Sequence, residues 1–442
     1  MTLMTPRRRH AVILAVAPLA LGAVLAACSS GSSSGSGGSS AAGGSAAATS
    51  KEPQTIHFTY TTANANETYY QTLAKDFEAA HPGVTVKTTA IALTAADQTI
   101  PTQLQAGNGP DVFWVNAGSG QQDSIGQLGR ANLLLPVNAA TYANIPASEM
   151  AGWSLNGTTY GVPTSTQALG VIWNDALAKA NGANVTADSS ISDIAAQCPA
   201  VAKKGKSIYG LAGSIPQNTG LMTADIATST VYGPDPNWNE DRASGKTTFE
   251  GTQGWHQALQ AVIDLNKAGC FQKGAAGAGF DALTNGAGQG QLFGFFAPGG
   301  ATKDIMDAAH GAVKLTALPM PAPQGVKTVL TLSSNTGLAG NKATKSPNLV
   351  QEFLAFSVSP EEAKKIANAQ GSIPIGSPST SDLLPQYQPI IPFLEAKNFL
   401  PFGPDAWPNA KVYDALGTGV TGLLTGQKSV DDVLKSMDQA WG

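Results

Sequence analysis

The sequence predicts an α/β fold with a largely parallel sheet, arranged in two domains. Three observations point there. Strand-like and helix-like segments alternate from Gln54 onward. The same texture returns after about residue 169. About 390 residues follow a Ser/Gly/Ala-rich stretch, more than one hydrophobic core usually supports.

Residues 54–61 alternate apolar Ile56, Phe58 and Tyr60 with polar neighbours, a strand signature. From Tyr69, the positions Tyr70, Leu73, Ala74 and Phe77 follow helical spacing until His81-Pro82-Gly83 stops them. Val84-Thr85-Val86 reads as a second strand, 97–105 as a second helix ending at Gly107, and 111–115 as a third, apolar strand. Right-handed crossovers place both helices beside the sheet. Later strands are expected at 169–173 and 208–211, and a helix carrying Trp255, Leu259, Val262 and Ile263. Another helix covers about 348–358. Ser359-Pro360-Glu361-Glu362 then restarts one, with Ser as N-cap, Pro in the first turn and Glu at the capping-box position. The last helix opens at Ser429 and buries Val430, Val433, Leu434 and Met437. Gly286-Ala287-Gly288-Gln289-Gly290 follows no clear strand and reads as a loop.

The N-terminal segment carries Arg7, Arg8 and Arg9, an apolar run from Ala11 to Ala27, and then Cys28. A basic region, a short apolar region and small residues at the cut form a secretion signal. The run contains Pro18 and falls short of the roughly 20 apolar residues that a membrane span needs. Leu25-Ala26-Ala27-Cys28 resembles the lipobox of bacterial lipoproteins, which implies a signal peptide over 1–27 and lipidation of Cys28. Ser29 to Ser50 is almost wholly Ser, Gly and Ala and cannot bury apolar area, so 28–53 is expected to be a flexible tether with a reach of about 25 Å. The expected location is the extracytoplasmic face of a cell membrane.

Composition excludes some partners. Three of the 26 basic residues lie in the first 27, leaving 23 against 30 acidic ones, a net charge of about −7. The arginines that remain are Arg130 and Arg242, so the clustered cations of a nucleic-acid surface are missing. Besides Cys28 the chain has Cys198 and Cys270. An oxidising exterior makes that pair a disulfide candidate, two buried free thiols being the alternative.

Several segments, in order, resemble the bacterial extracellular solute-binding proteins of the sugar-transporter type, the family that includes the maltodextrin-binding protein. They are Leu73-Ala74-Lys75-Asp76-Phe77-Glu78 leading into His81-Pro82-Gly83-Val84, Gly107-Asn108-Gly109-Pro110-Asp111-Val112-Phe113-Trp114, and Leu133-Leu134-Leu135-Pro136-Val137. Asn156-Gly157-Thr158-Thr159-Tyr160-Gly161-Val162-Pro163 with Trp173-Asn174, Lys345-Ser346-Pro347-Asn348, Glu352-Phe353-Leu354 and Gly371-Ser372-Ile373-Pro374 continue the match. The resemblance implies a two-lobed periplasmic-binding-protein-like fold with a hinge and an interlobe ligand cleft. Matching positions place crossings near 167–170 and 329–333 and after Pro374. One lobe would hold 54–168 plus 333–375, and the other 169–332 plus 376–442.

A sugar presents hydroxyls at its edges and apolar C–H patches on its faces, so its site needs amides or carboxylates together with aromatic plates. Loops after the first and third strands offer Thr62, Asn64, Asn66 and Glu67, and Trp114, Asn116 and Gln121. The resemblance adds Gln167 at the hinge and Trp407 as a plate stacking on a sugar ring. Where the family shows a Gly-Pro-Trp or Gly-Ser-Trp turn, this chain reads Phe295-Phe296-Ala297-Pro298-Gly299-Gly300, with Phe296 as a partial replacement. Blander roles stand beside these: Trp114 as core, the asparagines as turn formers, and Trp153 and Trp173 as packing. Trp238, in a Gly/Pro/Asn-rich loop, reads either as a ligand or partner contact or as local packing.

The implied function is capture of a sugar, mono- or short oligosaccharide, and its delivery to an ABC-transporter permease in the membrane. The protein is expected to act as a monomer, without cofactor or metal. A polyamine or amino acid as cargo is the alternative. Enzyme readings find little support, because His57, His81, His256 and His310 match no metal-ligand spacing and no Gly-x-Ser-x-Gly or phosphate-loop motif occurs. A secreted glycosidase with two spatially paired carboxylates stays open.

Overall fold

The structure, a computed structural model, describes residues 53–62, 69–92, 95–308, 310, 312–376 and 379–442. The segment 1–52, with the expected signal peptide, Cys28 and most of the tether, lies outside the described residues.

Alternating side chains make Thr55–Thr62 a strand that buries Ile56, Phe58 and Tyr60, and it pairs in parallel with Thr85–Ala92 and with Val112–Asn116. The helices Tyr69–Ala80 and Ala96–Gln105 form the connections between these strands. Thr336–Asn341 joins antiparallel to Val112–Asn116 and also pairs with Leu134–Leu135 and Gly161–Pro163. The core on this sheet is mostly aliphatic, with Phe, Tyr and Trp153 set among the Ile, Leu and Val side chains. Phe353, on the helix Pro347–Ser357, lies 5.2 Å from Phe58 and 5.0 Å from Phe77, ring centre to ring centre.

A second sheet runs in the order Ser207–Gly210, Leu292–Phe296, Val171–Trp173, Thr316–Leu318. Its first two strands are parallel and the other pairings antiparallel. The separate core over it holds Trp173, Trp238, Trp255 and Trp407. Ser190 and Asp193 form a reciprocal capping box at the head of the helix Ile191–Ala202. That helix carries Cys198, which forms a disulfide with Cys270, with the Cα atoms 4.8 Å apart.

Two short links connect the sheets. Gln167–Leu169 and Leu330–Ser333 pair antiparallel, Gln167 opposite Ser333, and Phe399–Pro401 adds a third strand. Thr166 Oγ1 and Ser334 Oγ are 2.7 Å apart across the links, and Thr166 exchanges both backbone hydrogen bonds with Ile373. Between Leu169 and Val171 the chain passes from one sheet to the next through Gly170, at φ 148°, where a Cβ would stand 2.2 Å from the Leu318 carbonyl oxygen. No other residue type fits that passage.

Three local readings differ from the sequence expectation. The glycine-rich 286–290 segment is not all loop: the helix Phe280–Gly288 covers its first half, and Gly286 packs on Leu292 where a side chain would collide. Ser359 accepts from Glu362 N at 3.4 Å, but the Glu362 carboxylate turns to Lys365 Nζ at 2.8 Å and leaves the capping box incomplete. Trp238, expected exposed as often as packed, is 2 % exposed and donates through Nε1 to Thr252 Oγ1.

Candidate functional site

A cavity of about 420 Å³ opens where the carboxyl ends of the parallel strands in the first sheet face the second sheet. Open α/β sheets bind ligands at such edges because loops and helix starts converge there.

The floor is built from Val112–Asn116 and the turn that follows it. Trp114 and Asn116, two residues apart, project from the same face, and Thr336 pairs opposite Asn116. The chain then doubles back so that Asn116 Nδ2 donates to Gln121 Oε1 at 2.7 Å and to Asp123 Oδ1 at 2.9 Å. Asp123 is fully buried, and among the described residues no donor reaches its Oδ2. Asp97, in the exposed first turn of Ala96–Gln105, faces it. Burial first, and Asp97 second, push the Asp123 carboxyl up to about 7, against the pull of Asn116. Thr61 and Tyr69 complete this wall.

The opposite wall is plain by comparison. Pro298, Gly300 and Ala301 face the cavity at the start of the helix Ala301–Ala308. Gln167, on the link, accepts from Gly300 N at 3.0 Å and so ties this wall to the crossing strand. A Cβ on Gly300 would stand 2.8 Å from the Gln370 carbonyl oxygen and 3.0 Å from Gln167 Oε1, so the closeness of the two walls requires glycine here. Among the described residues lining the cavity there are two carboxylates and no Lys, Arg or His. No group of His, Cys, Asp and Glu among the described residues is arranged to hold a metal.

Of the residues expected from sequence, Trp114, Asn116, Gln121 and Gln167 line this cavity. Asn64, Asn66 and Glu67 lie outside the described residues. Thr62 does not line it. Thr61 does, because neighbouring strand residues point to opposite faces. Trp407 is corrected from plate to core: it is 1 % exposed, packs its ring 5.5 Å from Phe249 and 5.9 Å from Trp255, and donates from Nε1 to the Tyr232 hydroxyl. Phe296 is corrected likewise: it is 1 % exposed, with its ring 5.1 Å from Tyr209, so it does not replace a plate at the turn. Asp97, Asp123, Tyr69, Thr336 and Gln370 were missed. Asp97 alone had a signal, an acid opening a helix directly after a strand.

The sequence profile of the family described as bacterial extracellular solute-binding protein matches residues 72–388, and the chain belongs to that family. It is therefore an extracellular solute-binding protein, of the two-lobed α/β type. Among curated proteins none matches it in sequence. Solved structures share the fold. One, from work on xylan utilization by Caldanaerobius polysaccharolyticus, superimposes with a TM-score of 0.72 at 19% identity, covering 87% of this chain and 99% of that one. A chitin oligosaccharide binding protein gives 0.71 at 18% identity, covering 88% and 98%. The solute-binding protein RafE in complex with raffinose gives 0.69 at 18% identity, covering 88% and 100%.

Proposed function

We propose that this protein is a lipid-anchored receptor that captures a sugar, mono- or short oligosaccharide, and hands it to an ABC-transporter permease. The observation that carries the reading is the cavity itself. Amides from Asn116, Gln121, Gln167 and Gln370, hydroxyls from Thr61 and Thr336 and the carboxylates of Asp97 and Asp123 line the cavity together with Trp114, which is 6 % exposed. This is the set of edge hydrogen bonds and flat apolar contact that a pyranose requires. A structure of the same fold is in complex with raffinose and another is a chitin oligosaccharide binding protein, which favours the same cargo class here.

The lobes are taken as 54–168 plus 333–375 and 169–332 plus 376–442, turning about the paired links. A ligand that touches both walls selects the closed arrangement, and the permease reads that form. Calorimetry on the chain from residue 53 onward, against mono- and oligosaccharides and polyamines, tests the cargo. Heat from a charged amine alone would overturn the sugar reading. Small-angle scattering should show a smaller radius of gyration with ligand than without. Anchoring at Cys28 predicts incorporation of labelled fatty acid in cells that is lost in Cys28→Ala.

A further inference from the structure

The cavity floor holds a feature that hydroxyl recognition leaves unused. Asp123 Oδ2 is fully buried and receives no donor from the described residues, and the Asp123 carboxyl faces a second one, Asp97, with no cation among the described lining residues. Arg130, on the helix that follows Asp123, turns away to Ser119 Oγ at 3.5 Å. Two facing carboxyls without a neighbouring cation call for a shared proton or for a donor brought by the ligand.

Resting on the sugar-capture reading, we infer that Asp97 and Asp123 form a subsite for a protonated amine, so that the cargo is a saccharide carrying a basic amino group. An ammonium offers three donors and a full charge, which meet both carboxylates at once, while the ring lies along Trp114. In the empty cleft the pair keeps one proton. That proton rests on Asp123, whose carboxyl burial and the neighbouring Asp97 hold at about 7. When the ammonium enters, Asp123 gives up that proton to solvent, whereas a neutral hydroxyl donates to the pair without displacing it. Asn116, donating to Oδ1, fixes the carboxyl plane and leaves Oδ2 for the ligand.

The test is titration calorimetry near pH 6.5 in two buffers of different ionisation enthalpy. Glucosamine and its β-1,4 tetramer are compared with glucose and the β-1,4 glucose tetramer, with putrescine as an amine lacking the ring. The expected result is binding of the amino saccharide tighter than its neutral counterpart by about tenfold or more, with release approaching one proton. Both the preference and the proton release should vanish together in Asp123→Asn and in Asp97→Asn. Asp97 is exposed, so its variant is expected to melt with the wild type and keeps the test valid if the buried variant folds poorly. Equal affinity for the matched pair without proton release would overturn the amine subsite and leave the sugar reading standing. Binding of putrescine alone would overturn the sugar reading, and the inference with it.

Discussion

The two sides of the cleft use their aromatic and polar residues in opposite ways. On the first-sheet side, Trp114, Asn116, Gln121, Asp97 and Asp123 reach the cavity, and the core behind them is largely aliphatic with Phe, Tyr and the buried Trp153. On the other side Trp238, Trp255, Trp407 and Phe296 are all interior, and of the described residues there the cavity meets Pro298, Gly300 and Ala301. One side therefore lines the cavity with polar and aromatic side chains, while the other supplies a close-fitting, nearly bare wall. Tryptophan content alone does not mark a sugar plate, because a residue this large is equally well used to fill a core.

The comparison is most easily broken at Trp407. If it is core, Trp407→Ala leaves a cavity and loses about 3–5 kcal/mol of stability in denaturant unfolding. Full stability with abolished sugar binding would return it to the cleft. Next is the disulfide joining the helix Ile191–Ala202 to Cys270, beneath the same core. The double variant Cys198→Ala/Cys270→Ala should lose about 2–5 kcal/mol, and reductant should lower the melting temperature of the wild type but not of that variant.

A third test concerns charge. Asp225, buried beside the link strand and accepting from the Thr331 hydroxyl, is pushed up to about 7 mainly by burial. Its folded form holds a proton that the unfolded chain has already released, so the favourable contribution present at pH below the ordinary carboxylate value is lost as pH rises through about 7. Asp225→Asn should flatten this decline. Its melting temperature relative to wild type should rise between pH 5 and pH 9, and a difference that does not change with pH would sink the assignment. The smallest effect is expected at the wall contact. Gln167→Ala removes the acceptor for Gly300 N and a lining amide, and should weaken sugar binding by about 1 kcal/mol with little change in unfolding.

Much of the first sheet was legible because its signals are local. The alternation of Ile56, Phe58 and Tyr60 and the helical spacing of Tyr70, Leu73 and Phe77 reappear as a strand and a helix at nearly the expected bounds. Trp114 and Asn116 were legible as site residues because they end a predicted strand, where α/β sheets bind. Asp123 was not. What sets it apart is an oxygen deprived of partners, and that depends on Asn116 folding back and on Asp97 arriving from another helix. Phe296 and Trp407 misled for the same reason: whether an aromatic faces solvent or core is decided by what packs over it.

Sequence by itself determined the α/β class, the order of elements in the first sheet and the family, since periodicity, caps and turn residues act over a few positions. Tertiary structure alone decided which tryptophan meets the cavity, that Gly170 and Gly300 are demanded by close approach of distant backbone, and that two aspartates 26 residues apart share one site. Burial and electrostatic pairing arise between segments remote in the chain, and no local pattern encodes them.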